Sequence, residues 1–365
     1  MIPGLSPQDI GKTAKRVRST QSIRKPKNQS IYATHHPSGN ARKGDPMKHK
    51  RLTLLLATLL LTGCTGTAQV QNRAFVQLLG TDADRNANRV TAVSFGMEEP
   101  ASGTGETLLT ALEAAQCRYD RALMLGHTQV LVCGKGGLEQ RLSLLLDGNR
   151  ISPGCRLVCA DDAARVLEET GAGLETALSR MAEGGALYAP AVSDTLSDLL
   201  GASGMAVVPY VSGSDLGMCV VDRAGNIRTT LSEEACRGVA LLRGKNRDTV
   251  LGIPTEQGTL SYEIHSCSYK LDLETAEGLT AVLSFRITGE CAEACEQGQL
   301  RKGVQQAVTE LCRAAVLETV CVYGVDLLDL ERAARHQDPA FFAAHQEEWS
   351  AVIAQAGFRC EVRVE

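Results

Sequence analysis

The sequence predicts an α+β protein of three domains, the last an antiparallel sheet packed on a long helix, and three patterns carry that reading. Apolar runs alternate with helical spacings between Ala68 and Thr170, the pattern of an α/β block. A compact, mostly β stretch follows. Then "TLSYEIHSCSYKLDL" and "LTAVLSFRITGEC" alternate as two antiparallel strands ahead of a helix from about Gln299 to Val322.

Taken in order, "RAFVQLLGTDADRNANRVTAVSF" reads as a β-hairpin around a turn rich in Asp and Asn. "GETLLTALEAAQCRYDRAL" has helical spacing, with Leu108, Leu109, Leu112, Ala115 and Cys117 apolar. "QVLVCG" is a buried strand, "LEQRLSLLLD" a helix, "CRLVCA" a strand and "DDAARVLEE" a helix with acids in its first turn. A Gly- and Ser-rich stretch at 171–204 carries a helix near Glu175 to Glu183 and another at "VSDTLSDLLGA". "MAVVPYV" and "GMCVVDRAGNIRTTL" are strands, the second folded back at Arg223-Ala224-Gly225-Asn226. "SEEACRGVALLRGK" is a helix capped by Ser232. The final helix has its apolar stripe at Val304, Val308, Leu311, Cys312 and Ala315. "FFAAHQEEW" is a short helix and "FRCEVRV" a last strand. The expected domains are 64–170, 171–256 and 257–365.

Ahead of them stands "MKHKRLTLLLATLLLTGCTGTAQ", Met47 to Gln69. Its basic head and apolar run of about ten residues are the layout of a secretory signal, since a bilayer-spanning helix needs roughly twenty. Leu61-Thr62-Gly63-Cys64 resembles the lipobox of bacterial lipoproteins. That resemblance implies recognition of Leu61, Thr62 and Gly63 by signal peptidase II, diacylglycerol on the Cys64 thiol, and Cys64 as the mature N-terminus, with room for a further N-acyl chain. Two chains at one point give the stable anchoring that one does not. The plainer alternative is an apolar helix ending in a buried cysteine. Residues 1–46 hold nine Lys or Arg against Asp9 and Asp45 and too few apolar residues for a core. They read either as a basic tail or, the favoured reading, as sequence upstream of the true start at Met47.

Charge divides the chain. Up to Gly63 there are twelve Lys or Arg and two acids, so the part from Cys64 carries about −14 of the total −4. An acidic body argues against a nucleic-acid partner. It also leaves the lipid, not surface charge, to hold the membrane. With Trp349 the only tryptophan, stacked sugar sites are improbable. Of the 13 cysteines, Cys117, Cys133, Cys219, Cys312 and Cys321 lie among apolar residues, where a free thiol packs as a small apolar group. Cys155/Cys159 and Cys291/Cys295 have metal-like spacing but no further ligands nearby, so packing or a disulfide outranks a metal site. "CRLVC" would turn both its cysteines to one strand face.

No catalytic constellation emerges. His127 precedes a buried strand; His336 and His345 are nine apart, unlike a zincin pair; "CGKGG" lacks the spacing of a phosphate loop. The acids at Asp161-Asp162 and Glu347-Glu348 suit a helix start and a solvated face. The residues predict a non-enzyme without a dissociable cofactor or metal.

In this order the segments resemble the Ger(x)C family, the lipoprotein C subunits of spore germinant receptors. "LTGC" before "NRAFVQLLGTDAD" is similar to the family's "afv.glGiD", and Gly126-His127 before "TQVLVCG" to its "gH.kviiig". "MCVVDRAGNIRTTLSEEACRGVALLRGK" and "YEIHSCSYKLDL…LSFRITGEC…DPAFFAAHQEEW" follow its second and third domains. Thr65-Gly66-Thr67-Ala68 departs from the family's Trp-Asp after the lipidated cysteine, and "YGVDLLDLE" matches its acidic turn only in part. The resemblance implies a non-catalytic lipoprotein on the outer face of the spore inner membrane, assembled with a GerA-type A subunit and a permease-like B subunit for nutrient-triggered germination. The rival expectation is a substrate-binding lipoprotein of a transporter, which requires two similar lobes around a cleft.

Overall fold

The computed structural model describes residues 72–84, 87–97, 99–213, 215–244, 249–255 and 258–365. The basic leader, the signal-like segment, Leu61, Thr62, Gly63 and Cys64 lie outside the described residues.

The first sheet is built from β1 (Arg73–Asp84), β2 (Ala87–Ser94) and β3 (Ala101–Gly105), then, past helix α1 (Leu108–Cys117), the short β4 (Ala122–Met124) and β5 (Val130–Cys133). Helix α2 (Leu138–Asp147) leads to β6 (Arg156–Ala160). Helices α3 (Ala163–Thr170), α4 (Gly173–Glu183) and α5 (Val192–Leu200) lead to β7 (Met205–Ser212), β8 (Asp215–Asp222) and β9 (Ile227–Thr230). The strand order is β3-β2-β1-β5-β6-β7-β8-β9, with β4 also on β1. β1, β5, β6 and β7 run parallel, while β2/β3 and β8/β9 extend the edges antiparallel.

Parallel strands bury both faces, and the near-continuous apolar runs of β5 and β6 meet that demand. Leu131, Cys133, Leu157 and Cys159 pack with Leu108 of α1, Leu138 and Leu142 of α2 and Val192 of α5. Val130, Val132 and Val158 face the other way, toward Val166, Leu167 and Leu178 of α3 and α4. The alternation in "CRLVC" therefore puts Cys155 and Cys159 in one core, as its period requires.

The expected boundary at 170–171 falls inside this sheet. β7 pairs with β6 at Cys159↔Tyr210 and Ala160↔Val211, so the strands of 171–256 have no sheet of their own. The change of sheet comes later, at helix α6 (Glu233–Arg243). Ser232 caps α6, its Oγ accepting from the Ala235 N–H at 3.1 Å.

The second sheet holds β10 (Thr249–Thr255), β11 (Gly258–Glu274), β12 (Thr280–Cys291) and, after the C-terminal helices, β13 (Gly357–Val364), in that order. β10, β11 and β12 are antiparallel, but β13 lies parallel to β12. The sheet is thus mixed at one edge, because the chain returns through helices instead of a hairpin. The long helix α7 (Gln297–Val316) packs Leu300, Val304, Val308, Cys312 and Ala315 on this sheet, then continues through a π turn at Leu317–Cys321. Helices α8 (Leu330–Gln337), α9 (Pro339–His345) and α10 (Trp349–Ala354) complete the layer. Trp349 is buried there, edge-on to Phe342 at 5.1 Å between ring centroids. Among the described residues no helix is long and apolar enough to cross a membrane.

Candidate interaction cleft and its supports

A concave feature lies between α5, from the first sheet, and the turn into α8, from the second. It is an open cleft of about 640 Å³. Leu146, Leu196, Leu200 and Met205 give it an apolar wall, with Asp326, Asp329, Glu331, Arg332 and Arg335 opposite. Leu200 is 58% exposed, although it ends an otherwise buried helix face.

Arg243, the last residue of α6, ties the two sides together. Its Nη2 donates to both Asp198 oxygens, at 2.8 and 3.1 Å, and its Nη1 to Asp329 at 3.0 Å. The guanidinium also lies 5.8 Å from the centre of the Tyr188 ring. A cation is favoured at a helix C-terminus, and the fork geometry of Arg suits two carboxylates. Burial pushes the Asp198 carboxyl up to about 6, with Arg243 pulling against that rise. Burial alone would lower Arg243; Asp198, Tyr188 and Asp329 together hold it above its ordinary value. Asp326 caps α8, accepting from the N–H groups of Leu330 at 2.6 Å and Glu331 at 2.9 Å. The lining contains no His, Cys or Tyr, so it offers no imidazole or thiolate to a reaction.

A second cluster occupies the C-terminal ends of the parallel strands, where open α/β sheets commonly take a ligand. Here the protein fills the place itself. The Asp82 carboxylate accepts from the N–H of Ala163 at 2.8 Å and of Ala164 at 3.1 Å, at the start of α3. Burial raises Asp82 in spite of these bonds. A Cβ on Gly134 would overlap that carboxylate, so the glycine of "CGKGG" is a space requirement. Arg141, buried, donates to the carbonyls of Thr81 at 2.6 Å and Gly134 at 2.5 Å. Lys135 and Tyr210 meet on Asp161, both at 2.9 Å. An anion site at this helix start is already taken by a side chain of the chain.

The residues singled out in the sequence fall into place around these features. His127 ends a 3-10 turn, exposed, edge-on to Phe75 at 5.1 Å. His336 and His345 are exposed on different helices, with His345 Nδ1 2.8 Å from the Phe341 carbonyl. The twelve described cysteines are free thiols. Burial pushes Cys133 up to about 11 and Cys155 to about 12, as inert packed thiols require. Cys291 approaches Glu293 at 3.6 Å, its thiol raised first by burial. Cys64 and Leu61-Thr62-Gly63 cannot be placed, lying outside the described residues. Sequence reasoning missed Arg141 and Arg243, whose partners lie up to 60 and 86 residues away. It also missed Glu263, His265 and Glu290, whose donor atoms all lie within 4.8 Å of one another.

Residues 216–365 match the family described as Spore germination B3/GerAC like, C-terminal. The matched region starts in β8 and takes in α6 and the whole second sheet. Among curated proteins none matches the chain. The crystal structure of the GerBC protein is similar, with a TM-score of 0.50 and 11% identity over 79% of this chain and 96% of that one; at such identity the likeness is one of fold. Residues 216–365 are thus similar to the C-terminal region of this spore-germination family, on a chain whose fold is similar to that of GerBC.

Proposed function

We propose that the chain is the lipid-anchored C subunit of a spore germinant receptor, held through Cys64 at the outer face of the spore inner membrane. It works by assembly with a GerA-type A subunit and a permease-like B subunit, and not by catalysis. The observation that carries this reading is the family match over residues 216–365, on a chain with the GerBC fold. The cleft between α5 and α8, apolar on one wall and charged on the other, supports a recognition role. A transporter's binding lipoprotein would need two similar lobes; the nine-stranded and four-stranded sheets differ in size and topology.

Deletion of the gene in a spore-forming host tests the proposal. Nutrient-triggered germination is expected to fall, to recover with the native gene, and to recover poorly with Cys64→Ala, which should also shift the protein from the membrane to the soluble fraction. Unchanged germination in a host without a paralogue would sink the proposal.

A further inference from the structure

On the outer face of the second sheet, β11 and β12 bring together Glu263, His265 and Glu290, and we propose that these three bind a divalent first-row transition ion such as Zn²⁺. Glu263 and Glu290 are direct cross-strand partners. Like charges in that relation destabilise a sheet, so the pair calls for a compensating cation. Among the described residues the one ion pair at either carboxylate is from His265 Nε2 to Glu290, at 3.9 Å. That distance is long for an ion pair but close to the separation of about 3.4 Å between two ligands on a tetrahedral ion with bonds of about 2.0–2.1 Å.

The backbone explains how the imidazole reaches the carboxylates. Ile264 pairs with Gly289 and Ser266 with Thr288, which leaves His265 as the extra residue of a β-bulge. Regular alternation puts His265 on the same face as Glu263, two residues away, and the bulge brings Ser266 to that face as well. Tyr262 and Ile264 point into the core, while Glu263, His265 and Ser266 all face out. The donor set, one nitrogen and two carboxylate oxygens, suits Zn²⁺ and its neighbours better than Mg²⁺ or Ca²⁺, which prefer oxygen alone. His265 is 49% and Glu290 73% exposed, so water completes the coordination and the exposed side chains can close the remaining distance without moving the sheet. The ion would clip β11 to β12 across the bulge.

Calorimetric titration of the reduced full chain with Zn²⁺ tests this site, with circular dichroism to verify folding of each variant. His265→Ala and the Glu263→Gln/Glu290→Gln pair are each expected to weaken the binding at least tenfold. In metal-free buffer Glu290→Gln alone should raise the thermal midpoint by relieving the carboxylate pair. Zn²⁺ affinity unchanged in both variants overturns the proposal. So does a Co²⁺ complex whose sulfur-to-metal charge-transfer band persists in His265→Ala, since the ion would then reside on cysteines.

Discussion

Arg243 grips Asp198 through both carboxylate oxygens, at 2.8 and 3.1 Å, and so joins a helix of the first sheet to the helix that leads into the second. The Arg243 side chain is only 14% exposed. Removing it strands a buried carboxylate, and breaking such a pair costs about 3–5 kcal/mol. Arg243→Ala should lose stability in that range in urea unfolding. Arg243→Lys, with a point charge in place of a fork, should lose less. A change in Arg243→Ala below about 1 kcal/mol would mean that the bridge is solvated like a surface pair.

Stability should also depend on pH through Asp198. Its folded pKa of about 6 lies above the ordinary 3.8 because burial disfavours the charge. The folded chain therefore binds this proton more tightly than the unfolded one. The resulting stabilisation is complete below pH 3.8 and disappears as pH rises through 6. Two pKa units correspond to at most about 3 kcal/mol. Asp82 and Asp326, also raised by burial, act in the same direction. Urea midpoints of Asp198→Asn should accordingly fall less than those of the native chain between pH 4 and 6, and parallel curves would refute the assignment.

Asp82 and Gly134 should behave as one unit. Asp82→Ala frees two N–H groups at the start of α3, a loss of about 1–2 kcal/mol. Gly134→Ala displaces the same carboxylate by filling its space. Once the cap is gone the added methyl has less to disturb, so the double variant should cost clearly less than the sum of the singles in a thermodynamic cycle. Strict additivity would separate the two residues.

At Gly238 the prediction turns on sign. In an open helix interior, Gly→Ala stabilises by about 1 kcal/mol. Here a Cβ would run into the Leu311 carbonyl of α7 and crowd the Ala315 side chain. Gly238→Ala should therefore lower stability, by about 1–3 kcal/mol if the helices separate to admit it. A higher thermal midpoint would show that α6 and α7 do not pack this closely.

The local pieces were legible along the chain. The β1/β2 hairpin, the helices from α1 to α6, the Ser232 cap, the turn at Arg223–Asn226 and the final strand all follow from periodicity, capping and turn chemistry, which act within a few residues. Short or irregular strands were not: β3, Ala-Ser-Gly-Thr-Gly, has no apolar alternation, and β4 is three residues long. The π turn at Leu317 likewise interrupts what reads as one continuous helix. Tertiary structure alone decided that β7 joins β6, that β13 runs parallel to β12, and that Arg243 bridges Asp198 and Asp329. It also brought Glu263, His265 and Glu290 to one patch. Each of these depends on register and burial set by partners dozens of residues away, and neither strand pairing nor a buried ion pair leaves a local pattern that a single chain segment could display.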